Sequence, residues 1–214
     1  MRVSFGRTHA LKGLTLQLGP GIVGLFGQNG SGKSTLLRAL AGLLQPTAGT
    51  VSLDGVGWGR STAETLRSQI GYAGHDCGLY GQLTVRENLT LAATLYGAPA
   101  ERVDVVERAL EIEASSGIRA RHLSAGLKRK VAVARALVHE PRFLFLDEPY
   151  ANLDDEGAER LSAALQEWRA GGDRLGIVAT HGAKRVKGFA DASVILQRGE
   201  LVSHRVRSDI EAFV

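Results

Sequence analysis

The chain has 214 residues and a single cysteine, Cys77. It is long enough for one large domain with a core, and an internal disulfide or thiolate metal framework is excluded. Lys and Arg number 26 against 22 Asp and Glu, a net +4 scattered along the chain. The sharpest basic run, Lys128-Arg129-Lys130, falls inside a helical pattern, so no nucleic-acid partner is expected. No stretch reaches the ~20 apolar residues of a membrane span and no signal peptide opens the chain, so any membrane role is expected to run through a partner.

In chain order, Leu14-Thr15-Leu16-Gln17-Leu18 alternates apolar and polar residues, which predicts a half-exposed strand ending at Gly19-Pro20-Gly21. Residues 22–26 predict a short buried strand and residues 36–41 a helix. Between them stands Gly27-Gln28-Asn29-Gly30-Ser31-Gly32-Lys33-Ser34-Thr35. Its pattern, G-x-x-x-x-G-K-[ST], is the phosphate-binding loop, and the strand–loop–helix context is what that motif requires. Gly27, Gly30 and Gly32 let successive N–H groups face one anion. The helix N-terminus adds the positive end of its dipole. Lys33 is expected to neutralise the β- and γ-phosphates, and the Ser34 hydroxyl to ligate Mg²⁺. Phosphate loops serve kinases, GTPases, motors and transporters, so this stretch implies a nucleotide without giving its use.

Residues 50–53 predict a strand closed by Asp54-Gly55, residues 54–61 a surface loop, and residues 70–73 a strand followed by the glycine-rich 74–81. Thr84-x-x-Glu87 is a capping box; it opens a helix carrying Val85, Leu89, Leu91 and Leu95 that Pro99 breaks. Residues 103–112 predict a second helix and 115–123 a loop. Ser124 caps a third helix with Val131, Ala134, Leu137 and Val138 on one face, ended by Pro141. Phe143-Leu144-Phe145-Leu146 is a continuous apolar run, the mark of a strand buried on both faces of a parallel sheet. Leu161, Ala164, Leu165 and Trp168 fall at helical spacing, stopped by Gly171-Gly172. Residues 176–180 predict a buried strand and 183–189 a short helix. Strands at 193–196 and 201–205 flank the turn Gln197-Arg198-Gly199-Glu200. The order predicts one α/β domain, with a nucleotide-binding core from residues 1–74 and 138–214 and a helical lobe from 75–137.

Asp147-Glu148 follows directly on the apolar run. A carboxylate at the C-terminal end of such a strand points into the crevice where open α/β sheets bind ligands. Asp147 is expected to hold Mg²⁺ through water, and Glu148 to polarise an attacking water. Leu123-Ser124-Ala125-Gly126-Leu127 precedes the third helix. Ser124 and the free N–H groups there form either an ordinary N-cap or a second anion site.

Together these segments resemble the ATP-binding-cassette (ABC) ATPases. Residues 27–35 are similar to that family's Walker A, 143–148 to its Walker B with the glutamate, and 123–127 to its L-S-G-G-Q signature. Ala151-Asn152-Leu153-Asp154 is similar to the D-loop, Thr180-His181 to the switch histidine, and residues 83–89 to the segment after the Q-loop, all in family order. The resemblance implies a P-loop NTPase core with an antiparallel β subdomain and a helical signature subdomain. It implies ATP with Mg²⁺, transmembrane permease subunits as partners, and a peripheral place on the cytoplasmic face of the cell membrane. It also implies a head-to-tail homodimer: Lys33, Ser34, Asp147, Glu148 and His181 serve one ATP, while Ser124 and Gly126 come from the facing chain; Asp154 of the D-loop is expected among the nucleotide-binding residues. His181 contacts the γ-phosphate, and Phe5 matches the aromatic that stacks adenine.

The chain departs from the family pattern at three places. His75 stands where the Q-loop has glutamine, which makes pH matter near neutrality, and the signature reads Ala125 at position three and Leu127 at position five. Gly74-His75, Leu-Ser-Ala-Gly and Asp-Glu-Pro-Tyr together resemble the ATPases of the bacterial haem exporters of cytochrome c maturation. The ATPase of a drug, antibiotic or lipid exporter is the alternative. A soluble ABC protein of ribosomes or DNA fits less well, because those carry two cassettes per chain or long coiled-coil insertions.

Overall fold

The computed structural model of the chain describes residues 1–206, apart from the side chains of residues 183 and 184. The expected core segment 138–214 therefore runs past the described residues at 207–214.

Strands β1 (Arg2–Phe5) and β2 (Thr8–Lys12) form an antiparallel hairpin. Then come β3 (Gly21–Phe26), α1 (Lys33–Leu40), a second small hairpin of β4 (Ser52–Leu53) and β5 (Val56–Gly57), α2 (Ala63–Ser68) and β6 (Ile70–Ala73). Three helices follow, α3 (Val85–Tyr96), α4 (Glu101–Leu110) and α5 (Ala125–Leu137). The chain then alternates: β7 (Phe143–Asp147), α6 (Asp155–Ala170), β8 (Leu175–Thr180), α7 (Ala183–Lys187), β9 (Ala192–Gln197) and β10 (Glu200–Val206). The main sheet runs β10-β9-β3-β8-β7-β6; β10 is antiparallel to β9 and all other neighbours are parallel.

Both faces of this sheet are covered at β3, β8 and β7, which is why those strands read as apolar runs, whereas β9 and β10 alternate. Along β7, Phe143 and Phe145 join the cluster of α1 and the small hairpins, while Leu144 and Leu146 join the cluster of α3 to α6. Trp168 of α6 lies across the second face with its indole N–H donating to the Pro141 carbonyl at 2.9 Å. Gly176 makes room for it, since a Cβ there would stand 2.9 Å from the ring. Burying that ring contributes roughly 2–3 kcal/mol.

The register of the parallel strands aligns their C-terminal ends. Phe26 pairs with Thr180, Asp147 with Ala179, and Ala73 with Leu146. The residues that follow these ends, Gly27, His181, Glu148 and His75, therefore emerge at one edge of the sheet. This is the link from sequence to site: four buried strands of matched register deliver four loops to one crevice.

Several expectations need correction. Residues 14–18 form no ladder strand. The Leu14 N–H donates to the Met1 carbonyl and the Met1 ammonium to the Leu14 carbonyl, and the pairing goes no further. Residues 54–61 are not simply a loop: Asp54 (φ 49°) and Gly55 (φ 77°) make the two-residue turn of the β4–β5 hairpin. Helix α2 has no counterpart among the expected elements. On α3, Leu95 is 73% exposed, and Asn88 is buried instead. The Asn88 side chain accepts from the Tyr80 N–H at 2.8 Å and donates to the carbonyls of Tyr80 and Thr84, tying the glycine-rich stretch to the helix. The Thr84–Glu87 capping box forms as expected, and so does the Ser124 cap of α5, with the Leu127 N–H donating to Oγ at 3.2 Å.

Candidate active site

Between β3 and α1 the phosphate loop turns through three glycines in conformations closed to most side chains, Gly27 (φ 153°), Gly30 (φ 76°) and Gly32 (φ 105°). Lys33, at the first turn of α1, is only 6% exposed. Its ammonium folds back over the loop, donating to the Gly27 carbonyl at 2.7 Å and the Gln28 carbonyl at 3.3 Å. It makes no ion pair among the described residues, so a nearly buried cation sits over a cradle of glycines and a helix N-terminus with no anion to balance it. A phosphate supplies that balance.

The loop opens into a cavity of about 820 Å³. Of the expected residues, Asn29, Gly30, Ser31, Gly32, Lys33, Ser34 and Thr35 line it, together with Phe5, His75, Asp147, Glu148 and His181. Gly27 and Gln28 line an adjoining cleft on the β9 side. Phe5 is 54% exposed at the cavity rim, so it is not a core residue. Three residues that sequence reasoning passed over, His9, Lys12 and Arg198, add basic groups to the wall.

Asp147 ends β7 with only 2% exposure and takes no ion pair among the described residues. Its charge, after burial, helps hold the Tyr72 phenol above its ordinary value. Ser34 and Asp147 give the cavity a hydroxyl and a carboxylate, hard oxygen donors of the kind magnesium takes when substrate phosphates supply the rest. Glu148 adopts a left-handed backbone (φ 50°), sparsely populated for such a residue and typical of functional positions. Its N–H donates to the Ala179 carbonyl at 2.8 Å. Its Oε1 accepts the His181 backbone N–H at 3.0 Å and faces His181 Nδ1 at 3.0 Å. With Nδ1 carrying the proton, the other ring nitrogen of His181, a 71% exposed side chain, is left open. One carboxylate nearly buried beside a hydroxyl, and a second oriented by an imidazole, is an arrangement suited to metal-assisted attack of water on phosphorus.

Ser124, Gly126 and Asp154 are not brought to this cavity. Ser124 is exposed at the start of α5. Gly126 packs so closely on the D-loop that a Cβ would overlap the Asn152 carbonyl oxygen. Asp154 is the N-cap of α6, its carboxylate accepting the Gly157 N–H at 2.9 Å.

Sequence reasoning also missed Arg129. It belongs to the basic run read as a helix face, yet it is 5% exposed. Its guanidinium donates to the Gly74 carbonyl at 2.8 Å, the His75 carbonyl at 3.0 Å and the Asp147 carbonyl at 3.3 Å. The available signal was the following stretch, Val131-Ala132-Val133-Ala134, too apolar on all sides for a surface helix.

Residues 11–151 match the ABC transporter family. An ABC transporter ATP-binding protein of Mycobacterium tuberculosis (strain CDC 1551 / Oshkosh), itself uncharacterised, is 39% identical over 206 residues, 92% of this chain and 82% of its own length. The methionine import ATP-binding protein MetN 2 of Paraburkholderia xenovorans is 33% identical over 91% of this chain, which spans only 53% of that protein. Among solved structures, the dimeric post-hydrolysis state of the ATP-binding cassette MJ0796 bound to ADP and Pi superimposes with a TM-score of 0.88. It is 26% identical and covers 96% of this chain and 94% of its own. The chain belongs to the ABC transporter family as an ATP-binding subunit, and its activity is that of an ATPase.

Proposed function

We propose that two copies of this chain pair head to tail and hydrolyse ATP at composite sites to drive a membrane exporter. The observation that carries this reading is a separation within one protomer. The unbalanced Lys33 and the two carboxylates share one cavity, whereas the capped, exposed N-terminus of α5 with Ser124 lies outside it. A second copy can present that helix end, with Ser124 and Gly126, to the triphosphate held by the first. The dimeric, ADP- and phosphate-bound cassette at TM-score 0.88 supports the pairing of two copies.

In this reading the phosphate-loop amides and Lys33 hold the phosphates, and Phe5 lies against the adenine. Ser34 and Asp147 would hold Mg²⁺, whose chemistry is to draw charge from the phosphate oxygens. Glu148 takes a proton from water as its oxygen attacks the γ-phosphorus; the bond to the bridging oxygen breaks and ADP leaves. His181 orients Glu148 through its main-chain and ring N–H groups and contacts the γ-phosphate. Asp154 holds the D-loop by capping α6, and His75 sits where the membrane partner's movement reaches the site.

No helix among the described residues is long and apolar enough to cross a membrane; in this reading permease subunits span it. A groove of about 320 Å³ supports docking of its cytoplasmic segment. Leu43, Tyr80, Leu95 and Tyr96, all exposed, line it beside the stretch that follows His75. His139 also lines it, with Nε2 on the Ile70 carbonyl at 3.1 Å and a buried Nδ1 without a partner. For the cargo we propose haem, on the resemblance of Gly74-His75, Leu-Ser-Ala-Gly and Asp-Glu-Pro-Tyr to haem-exporter ATPases. Purification of the intact membrane complex tests both points. Co-purifying permease with bound haem supports the reading; a complex that takes up methionine or effluxes drugs without binding haem overturns the cargo.

A further inference from the structure

We infer that Arg129 is a positioning residue that makes hydrolysis depend on the placement of the Ser124-bearing helix, an inference that rests on the composite-site reading above. Three observations meet at this side chain. It stands on the second turn of α5, close behind Ser124 and Gly126. It is 5% exposed, and no carboxylate pairs with it among the described residues; its charge is met by carbonyl oxygens alone. Those oxygens belong to two segments that reach the nucleotide cavity from different strands, Gly74 and His75 after β6, and Asp147 at the end of β7.

A buried guanidinium with no ion-pair partner is a poor way to add stability, since an apolar side chain of similar volume often serves as well or better. Its planar fork is suited to fixing several acceptors in one geometry. The acceptors fixed here are the main chain of His75 and of the residue directly before Glu148. One turn earlier on α5, Gly126 packs so closely on the D-loop that a Cβ there would overlap the Asn152 carbonyl oxygen. A shift of the first turns of α5, such as a facing nucleotide would impose through Ser124, therefore pulls on both walls of the site the same chain carries. The carboxylates reach their working geometry only when α5 is in place. In a single protomer Arg129 touches no substrate, so it acts through His75 and Asp147.

The test uses the full chain with Arg129→Met, which keeps length but removes charge and donors, and Arg129→Lys, which keeps charge but replaces the fork with one ammonium. The readouts are melting temperature, ATP affinity by fluorescent-nucleotide displacement, and kcat and KM with ATP·Mg²⁺. We expect both variants to melt close to the parent and to bind ATP within about threefold of it. We expect kcat to fall on the order of 10²-fold in Arg129→Met, the size a displacement of about 1 Å produces, and about tenfold in Arg129→Lys, with KM unchanged in both. Should Arg129→Met fail to fold, Arg129→Lys decides alone. A folded variant of either kind with parental kcat overturns the inference, and so does a loss of affinity in proportion to kcat. Failure of the parent chain to bind ATP strikes the site reading instead, so the two failures remain distinct.

Discussion

The phosphate-loop cavity and the N-terminus of α5 both present the N–H groups of a helix end, and they are built in opposite ways. The first is closed, a cavity lined by residues of one chain. Strands with matched register deliver its loops, Lys33 and Asp147 are nearly buried, and Glu148 is held by His181. The second is a bare helix end whose Ser124 hydroxyl is occupied with its own cap and whose N-terminal turn faces outward. On the composite-site reading, binding is local to one chain while turnover takes two, so substitutions in the two regions are expected to damage different steps.

The largest effect is expected in the closed region. Glu148→Gln keeps the hydrogen-bonding shape but cannot take the water's proton, so kcat falls by about 10²–10⁴. ATP binding survives, and size-exclusion chromatography with ATP·Mg²⁺ shows a trapped dimer; a variant that stays monomeric at saturating ATP breaks the comparison. Lys33→Ala removes the balancing cation, and ATP affinity drops on the order of 10²-fold or more, the scale of lost charge-assisted bonds. Calorimetric titration that finds the parental affinity contradicts the cradle.

Away from both regions, burial pushes His139 from 6.5 down to about 4, against the raising effect of its bond to the Ile70 carbonyl. The unfolded chain then binds the proton more readily, so stability falls as pH drops from about 6.5 towards 4, by on the order of 2 kcal/mol. Denaturant melts across that range measure the slope. His139→Phe, which keeps the ring stacked on Tyr96 at 3.8 Å, is expected to flatten it. Smaller still, Gly126→Ala forces the α5 end off the Asn152 carbonyl, and kcat falls about tenfold while the isolated chain binds ATP as before. Equal losses in binding and turnover there erase the distinction between the regions. His75→Gln is expected to leave hydrolysis within about twofold and to alter its stimulation by the permease. Reconstituted membranes with unchanged stimulation count against that role.

The closed region was legible in the sequence because its signals are local. A glycine-spaced loop between an apolar strand and a helix, and two acids at the end of a four-residue apolar run, are each contained within twenty residues. The caps at Thr84 and Ser124 were legible for the same reason. What escaped depends on partners far along the chain. Arg129 looks like one charge in a basic run, and carbonyls 18, 54 and 55 residues away explain its burial. Asn88 occupies a core position by satisfying the turn before its helix, against its polarity. Residues 14–18 have the alternation of a strand, but alternation does not supply a neighbour to pair with. At Asp54-Gly55 the hairpin signal was present and was outweighed by the polar glycine-rich stretch around it.

The central claim is that each working site takes Lys33 from one copy and Ser124 from the other. Mixing two inactive chains, Lys33→Ala and Ser124→Arg, tests it most directly. In a head-to-tail pair each mixed dimer rebuilds one intact site, so hydrolysis is expected to return to about a quarter of the parental rate. A mixture that forms mixed dimers yet remains as inactive as its components contradicts the account.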